Sequence, residues 1–371
     1  MEVKGTHFTK PTEAEIEVLK VWEGKGKYYA ELASSPFYPD GFGGQIGDRG
    51  FIGEAQVLYV PSEKVVEIDK PIEKGTFLAK TDIKRREEIA RQHTAQHILS
   101  AAMEKLFDAQ TVGFHMGEDS TTVDIDSDVT VDFEKVMEVS NDVILSDLEV
   151  KEIITSPEEA KNYDLRKLSD KAIKSGEVRI IKIGEFDLNA CGGFHVSRTG
   201  EIGSVRITHS ERVKGNLTRI WFVAGKRALN DCLEKEKVLN ESSRLFDASW
   251  RDLKKRIEKT LSELKEKNSK LKKTAQSLGE YTAKEIKPND ILKVDEIVAS
   301  YVSRSRQDIP YLLIFSPNNA TVCIPQKSKE EVMKWARNEG FKGGGKGPVY
   351  RFAFDDFSKF KNSFLDFVKE K

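Results

Sequence analysis

"DIKRREEIARQHTAQHILSAAMEKLF", residues 82–107, is where the chain changes character. Apolar residues fall at Ile83, Ile89, Ala90, Ile98, Leu99, Ala102, Met103 and Leu106, which is helical spacing. The same stretch holds His93 and His97, two of the six histidines in 371 residues. Positions i and i+4 share a helix face, so both imidazoles can reach one point. Between them stand Thr94, Ala95 and Gln96. The glutamate of an H-E-x-x-H metallopeptidase is missing, and with it that reaction's general base.

A second pair lies about a hundred residues on. "CGGFH", residues 191–195, places Cys191 and His195 four apart, with two glycines between them that let the backbone turn. One thiolate and three imidazoles suit Zn²⁺, a borderline-soft, non-redox, tetrahedral ion. A shared metal site on His93, His97, Cys191 and His195 is therefore expected. If all four bind at once the site is closed and structural; a catalytic site keeps one position open. The metal-free alternative is a buried thiol among hydrogen-bonded histidines.

Upstream of the helix, residues 1–80 read as β. "KYYAELASSPFYPD" is a strand entering a Pro-rich turn, "GFGGQIGDRG" (41–50) a Gly-rich loop, and "FIGEAQVLYV" and "SEKVVEIDK" are strands. A small barrel-like sheet is expected. Residues 81–227 read as an α+β core: strands at "STTVDID", "EVRIIKIGEFDLNA" and "LTRIWFVAG", a helix at "FEKVMEVSNDVILSDLEV", and another opening at Ser156 with Pro157 in its first turn.

Residues 228–286 form a helical segment with little Gly and no Pro before 287. Trp250, Ile257, Leu264, Leu271 and Leu278 recur every seven residues, while the companion seam Phe246, Leu253, Thr260, Lys267 and Thr274 turns polar. That is an imperfect coiled coil. Two readings stand: a homodimer seam through 228–285, or one amphipathic helix against the body. Residues 287–371 read as a small α/β domain, with strands at "DEIVASYV", "YLLIFS", "ATVCIP" and "VYRFAF", helices at "SKEEVMKWARNEG" and "DDFSKFKNSFLDFVKE", and "KGGGKG" as a loop. The fold class is α+β in four parts.

Composition narrows the function. Lys and Arg number 60 against 61 Asp and Glu, so a nucleic-acid partner must be argued from local patches and not from net charge. Three scattered cysteines make no disulfide framework. The N-terminus lacks a signal peptide's apolar core, and "YLLIF" (311–315) is typical of the longest apolar runs. A cytoplasmic protein with no membrane partner is expected.

"HTAQH" together with "CGGFHVSRTGEIG" resembles the editing domain of alanyl-tRNA synthetases and their freestanding relatives, the AlaX trans-editing proteins, which pair HxxxH with CxxxH. "SPFYPDGFGGQIGDRG" (35–50) is similar to that family's FYP and GGQ segment, and "RIWFVAG" (219–225) to its closing strand. Threonyl-tRNA synthetases carry a related domain; FYP…GGQ with GEIG favours the alanyl branch. The chain starts at the barrel-like segment, which resembles a freestanding protein of the long form. Phe194 stands where the family carries Thr, His115 near a family Gln, Ser35 near a family Thr, and Phe42 is extra within the Gly-rich segment.

The resemblance implies a zinc-dependent aminoacyl-tRNA hydrolase that cleaves mischarged alanine tRNA bearing Ser, and also Gly. Ser and Gly differ from Ala by one small group, and a pocket separates such substrates by only about 10–200-fold, so a second hydrolytic sieve is needed. It implies His93, His97, Cys191 and His195 as metal ligands, with His115 and Ser35 as catalytic or pocket residues. Gln45 is expected to brace its own loop. Arg85, Arg86 and Arg91 are expected to guide the acceptor end of tRNA. Arg206, Arg212, Lys214, Arg219, Lys226 and Arg227 would track phosphates. Residues 254–273, with nine Lys or Arg against three Glu, are a further track or a solvated helix face. Other readings are a tRNA-binding or synthetase-associated module with structural zinc, a threonine-type editing domain, and a generic metallohydrolase.

Overall fold

Alternating burial closes the N-terminal strands into a barrel. The computed structural model describes residues 6–168, 173 and 176–369. The barrel runs in the order Glu13–Gly24, Lys27–Leu32, Val65–Ile68, Ala55–Ser62, Gly50–Ile52 and Gly75–Thr81, whose last strand pairs with the first. Inward positions such as Ile16, Val18, Ala30, Leu32, Val57 and Val66 are buried and form its core. The stretch "FIGEAQVLYV", expected as one strand, is a hairpin that turns at Gly53–Glu54. The long first strand was not singled out by the sequence, although Ile16 and Val18 alternate there with outward glutamates.

Helix α1, Ile83–Phe107, begins where Asp82 accepts the Arg85 N–H. It ends at Asp108, in the left-handed conformation. Unlike an amphipathic surface helix, α1 is buried all round from Gln92 to Met103. A four-stranded antiparallel sheet packs near it, ordered Val205–Lys214, Leu217–Ala224, Thr121–Asp126, Gln110–Met116. A three-stranded sheet, Val150–Thr155, Val178–Ile183, Asp187–Ala190, lies on the way to Cys191. Helix α2 is Phe133–Leu145, and α3 is a single turn, Pro157–Ala160, with Ser156 capping it as its sequence suggests. These elements belong to the first of two compact units, Met1–Val238.

Helix α4, Gly225–Leu245, and helix α5, Leu253–Glu285, occupy the segment expected to be helical. The second unit, Leu239–Lys371, has a five-stranded sheet ordered Asp290–Lys293, Tyr311–Ser316, Asn319–Cys323, Val349–Ala353, Lys342–Gly345. "DEIVASYV" is not a strand: Glu296–Ser305 is helix α6. Asp295 caps it, and Val298, Ala299 and Val302 turn one stripe inward. A short apolar run fits either period, and here the cap decides. "KGGG" is an edge strand and not a loop: Lys342–Gly345 pairs antiparallel with Val349–Ala353, so closely that a Cβ on Gly345 would lie 2.1 Å from the Val349 carbonyl oxygen. Helices α7, Lys329–Glu339, and α8, Phe357–Lys369, fall where expected. No helix among the described residues is long and apolar enough to cross a membrane.

Candidate metal centre

The buried middle of α1 carries polar side chains, and each must find a partner. His93, His97, Cys191 and His195 converge so that their ligand atoms all lie within 4.8 Å of one another. Cys191 Sγ sits 3.4 Å from His93 Nε2 and 3.3 Å from His195 Nε2.

The outer nitrogens of the three rings fix which tautomer each must hold. The Phe194 N–H donates to Gln45 Oε1 at 3.1 Å, which marks that atom as the carbonyl oxygen. His93 Nδ1 lies 2.9 Å from the same oxygen and must therefore carry its proton. Thr94 Oγ1 donates to the Ala90 carbonyl and accepts the Val196 N–H. With its one proton used, Thr94 can only accept from His195 Nδ1 at 3.1 Å. His97 Nδ1 donates to Asp187 Oδ2 at 3.1 Å. Each ring carries a proton on Nδ1, so in its neutral form it turns an Nε2 lone pair toward Cys191. Outer partners that orient ligating histidines in this way are the usual frame of a metal site. The donor set thus fits a divalent cation such as Zn²⁺.

The electrostatics point the same way. Burial opposes ionisation of Cys191, yet His93 and His195 outweigh it and pull the thiol well below its ordinary range. Burial, with His93 and His97 nearby, pushes His195 far down, toward the neutral imidazole. Burial also opposes charge on His97, but Asp187 and Cys191 outweigh it and raise that ring. Asp187 is held at about 2 against burial by His97 and by Arg166, whose Nε lies 2.9 Å away.

The CGG turn is held from outside. Arg179 donates to the carbonyls of Cys191 and Gly193 at 2.9 and 2.7 Å. Neither Gly192 nor Gly193 is among the residues of positive φ, so the turn does not call on glycine for a left-handed backbone. Gly193 is needed for space: a Cβ there would lie 2.2 Å from His93 Cε1.

A cavity of about 460 Å³ opens beside the cluster. Cys191, His93 and His97 line it, with Tyr38, Phe42 and Phe114 among the apolar groups and Asn189, Arg166 and Lys167 among the polar ones. Phe114 stacks on His93 at 5.1 Å between centroids.

The remaining expected residues fall elsewhere. His115 is exposed and does not line this cavity; its strand neighbour Phe114 does. Ser35 accepts the Phe37 N–H at 3.1 Å, a turn contact outside the cavity lining. Phe194 is fully buried between Phe8 and Tyr38, off the cavity wall. Gln45 is buried and spends its carbonyl oxygen on His93 and Phe194, reaching well beyond its own loop.

Arg86 must be withdrawn from the expected phosphate contacts. It is fully buried, and its five N–H groups go to both Asp48 oxygens and to the carbonyls of Lys10, Pro11 and Pro36. Arg85 forks onto Glu118 and Arg219 onto Asp124. Arg206 pairs with Asp231, and Arg212 donates to the Gly215 carbonyl. Lys214 is exposed on the edge strand. The sequence reading missed Thr94, Asp187, Arg166 and Arg179. Thr94 had a signal, since it lies within the HxxxH; the others are brought in by the fold.

The family described as "Threonyl and Alanyl tRNA synthetase second additional domain" matches residues 178–220, which include Cys191 and His195. An alanine–tRNA ligase of Methanopyrus kandleri is 30% identical over 286 residues, covering 73% of this chain and 31% of the ligase. That of Caldivirga maquilingensis is 28% identical over 395 residues, covering 97% of this chain and 43% of the ligase. The alanyl-tRNA editing protein AlaX-L of Pyrococcus horikoshii is 28% identical over 355 residues, covering 91% of this chain and 87% of that protein. The chain spans about a third of the length of the first ligases it matches.

Proposed function

We propose that this chain, a homologue of the alanine–tRNA ligases and of AlaX-L that carries the second additional domain, is an aminoacyl-tRNA deacylase which edits mischarged alanine tRNA. The observation that carries the reading is the convergence of three oriented imidazoles and a low-pKa thiol on one point, with His93, His97 and Cys191 lining a cavity. The ester linking Ser, or Gly, to the terminal ribose is the bond cleaved.

His93, His97, Cys191 and His195 would hold Zn²⁺. A bound zinc ion supplies Lewis-acid polarisation of the ester or lowers the pKa of water. The protein's own groups do the positioning. Gln45, Thr94 and Asp187 accept the three Nδ1 protons and so aim the three Nε2 atoms at one point, where a metal would take them. Arg179 pins the turn that presents Cys191. The Tyr38 hydroxyl, with Gly192 O at 3.4 Å, stays protonated, because burial raises its pKa far above neutral pH. It is a donor on the wall toward which the leaving ribose oxygen can be oriented. An aminoacyl ester is labile, so holding it in line with water supplies much of the acceleration.

The wider proposal keeps the four parts 1–80, 81–227, 228–286 and 287–371, with the helical segment as a homodimer seam and tRNA as partner in the cytoplasm. A closed Cys/His₃ shell supports a second reading, a tRNA-binding module with structural zinc, since four ligands complete a tetrahedron. One experiment separates them: release of labelled serine from Ser-tRNA(Ala), beside Ala-tRNA(Ala), with and without chelator and with His97→Ala. Selective serine release that the variant loses supports the deacylase. tRNA binding with neither ester cleaved favours the structural-zinc module.

A further inference from the structure

With Ser35 and His115 both outside the cavity lining, the group that meets the substrate's side chain must come from another element. Helix α1 supplies one. His93, Gln96 and His97 all line the cavity, since positions three and four apart share a helix face. Gln96 is only 5% exposed, so its amide is held within the wall.

One end of that amide is engaged. Gln96 Nε2 donates to Ser100 Oγ at 2.8 Å. Thr111 Oγ1, on the strand Gln110–Met116, donates to the same oxygen at 2.7 Å. Ser100 is fully buried, and the two donors use both lone pairs of its hydroxyl. With its nitrogen on Ser100, the amide turns its carbonyl oxygen the other way. Gln96 Oε1 has no hydrogen-bond partner among the described residues, and it is not sealed from solvent as Gln45 Nε2 and Asn189 Oδ1 are. It is an acceptor open to the cavity that its residue lines.

The charges of the wall are placed differently. Arg166 is paired with Asp187 and Arg179 with Glu152, while Lys167 and Glu177 are exposed. The substrate's α-ammonium is matched by the Glu177 carboxylate, where neither charge has to leave water. A nearly enclosed neutral oxygen suits a neutral donor, whose burial strips no charge of its hydration. A seryl side chain carries such a donor; glycyl and alanyl groups carry none. Either of those would leave Gln96 Oε1 unpaired and cut off from water, which penalises them relative to serine.

We infer that Gln96 Oε1 accepts the side-chain hydroxyl of the seryl group and sets a preference for Ser over Gly. The inference rests on the deacylase reading and adds amino-acid choice to it. Ser100 and Thr111 are positioning residues that hold the amide in its orientation.

The test compares release of serine from Ser-tRNA(Ala) with release of glycine from Gly-tRNA(Ala). Wild type, Gln96→Met and Gln96→Glu are measured, with zinc content determined on each. Gln96→Met keeps the length of the side chain and removes the acceptor. It should lower the Ser-over-Gly ratio of kcat/KM by about 10- to 100-fold. Gln96→Glu keeps an oxygen in place and should hold that ratio within about threefold of wild type. Zinc content should match wild type in both. An unchanged ratio in Gln96→Met, a fall in Gln96→Glu as large as in Gln96→Met, or a fall that accompanies loss of zinc would overturn the inference. The deacylase reading fails separately, if wild type releases neither amino acid. Affinities for non-hydrolysable 3′-serylamido and 3′-glycylamido acceptor-end RNAs then decide Gln96. Gln96→Met should lower the ratio of those affinities by the same factor, and an unchanged ratio would overturn the inference there too.

Discussion

Helix α1 and helix α5 carry equally regular sequence patterns and meet opposite fates. In α1 the polar residues His93, Thr94, Gln96, His97 and Ser100 are buried. In α5 the apolar Leu261, Leu264, Leu271 and Leu278 are 60%, 53%, 55% and 51% exposed. Helical period identifies a face but not what covers it. The polar face of α1 is covered because Gln45, Asp187 and the 191–195 turn arrive from distant parts of the chain and satisfy every ring. The apolar stripe of α5 meets no comparable partner among the described residues of its own unit.

The largest effect that would break this contrast lies in the cluster. Cys191→Ala or His93→Ala should abolish stoichiometric zinc binding and reduce serine release to background, read by metal analysis and deacylation in parallel. Retention of one zinc per chain with full activity would remove the metal centre from the argument.

Next comes the pair beneath it. Arg86→Met leaves Asp48 buried and uncompensated, which should cost about 3–5 kcal/mol in urea unfolding. The double change Arg86→Met with Asp48→Leu should recover much of that loss. A loss under about 0.5 kcal/mol, with tRNA affinity reduced instead, would return Arg86 to the phosphate contacts.

A smaller effect tests the outer partners. Asp187→Asn should weaken zinc affinity about 10- to 100-fold while the fold persists. Asp187 also predicts a pH dependence. Its folded pKa of about 2 lies below the ordinary 3.8, so its contribution is present above about pH 4 and is lost as pH falls through 2. The contribution is on the order of 2 kcal/mol. Acid unfolding of the Asn variant should lack this component.

The smallest energetic change sharpens the other side. Leu264→Glu with Leu271→Glu should alter chain stability little, since both side chains face water. On the dimer proposal the same pair should convert a two-chain mass in light scattering to one chain. A one-chain mass for wild type would sink that proposal.

Much of this was legible before any fold was known. The HxxxH and CxxxH pairs needed only spacing, because i, i+4 geometry on a helix and a four-residue turn are local facts. The barrel was legible from short strands bounded by Gly and Pro, and one helix start from Ser156 with Pro157. The misread "DEIVASYV" shows the limit of local pattern, since a short apolar run has no unique period and its cap was overlooked.

Charge was the least readable property. Arg86 and Lys214 look alike in a sequence, yet one is entombed and the other solvated. What the sequence determined by itself was the ligand chemistry and the main elements, through short-range spacing. Only the tertiary structure decided which nitrogen of each histidine faces the centre and which arginines are spent internally. For Arg86 and the three histidines those partners lie 38 to 101 residues away, and no local rule reaches that far.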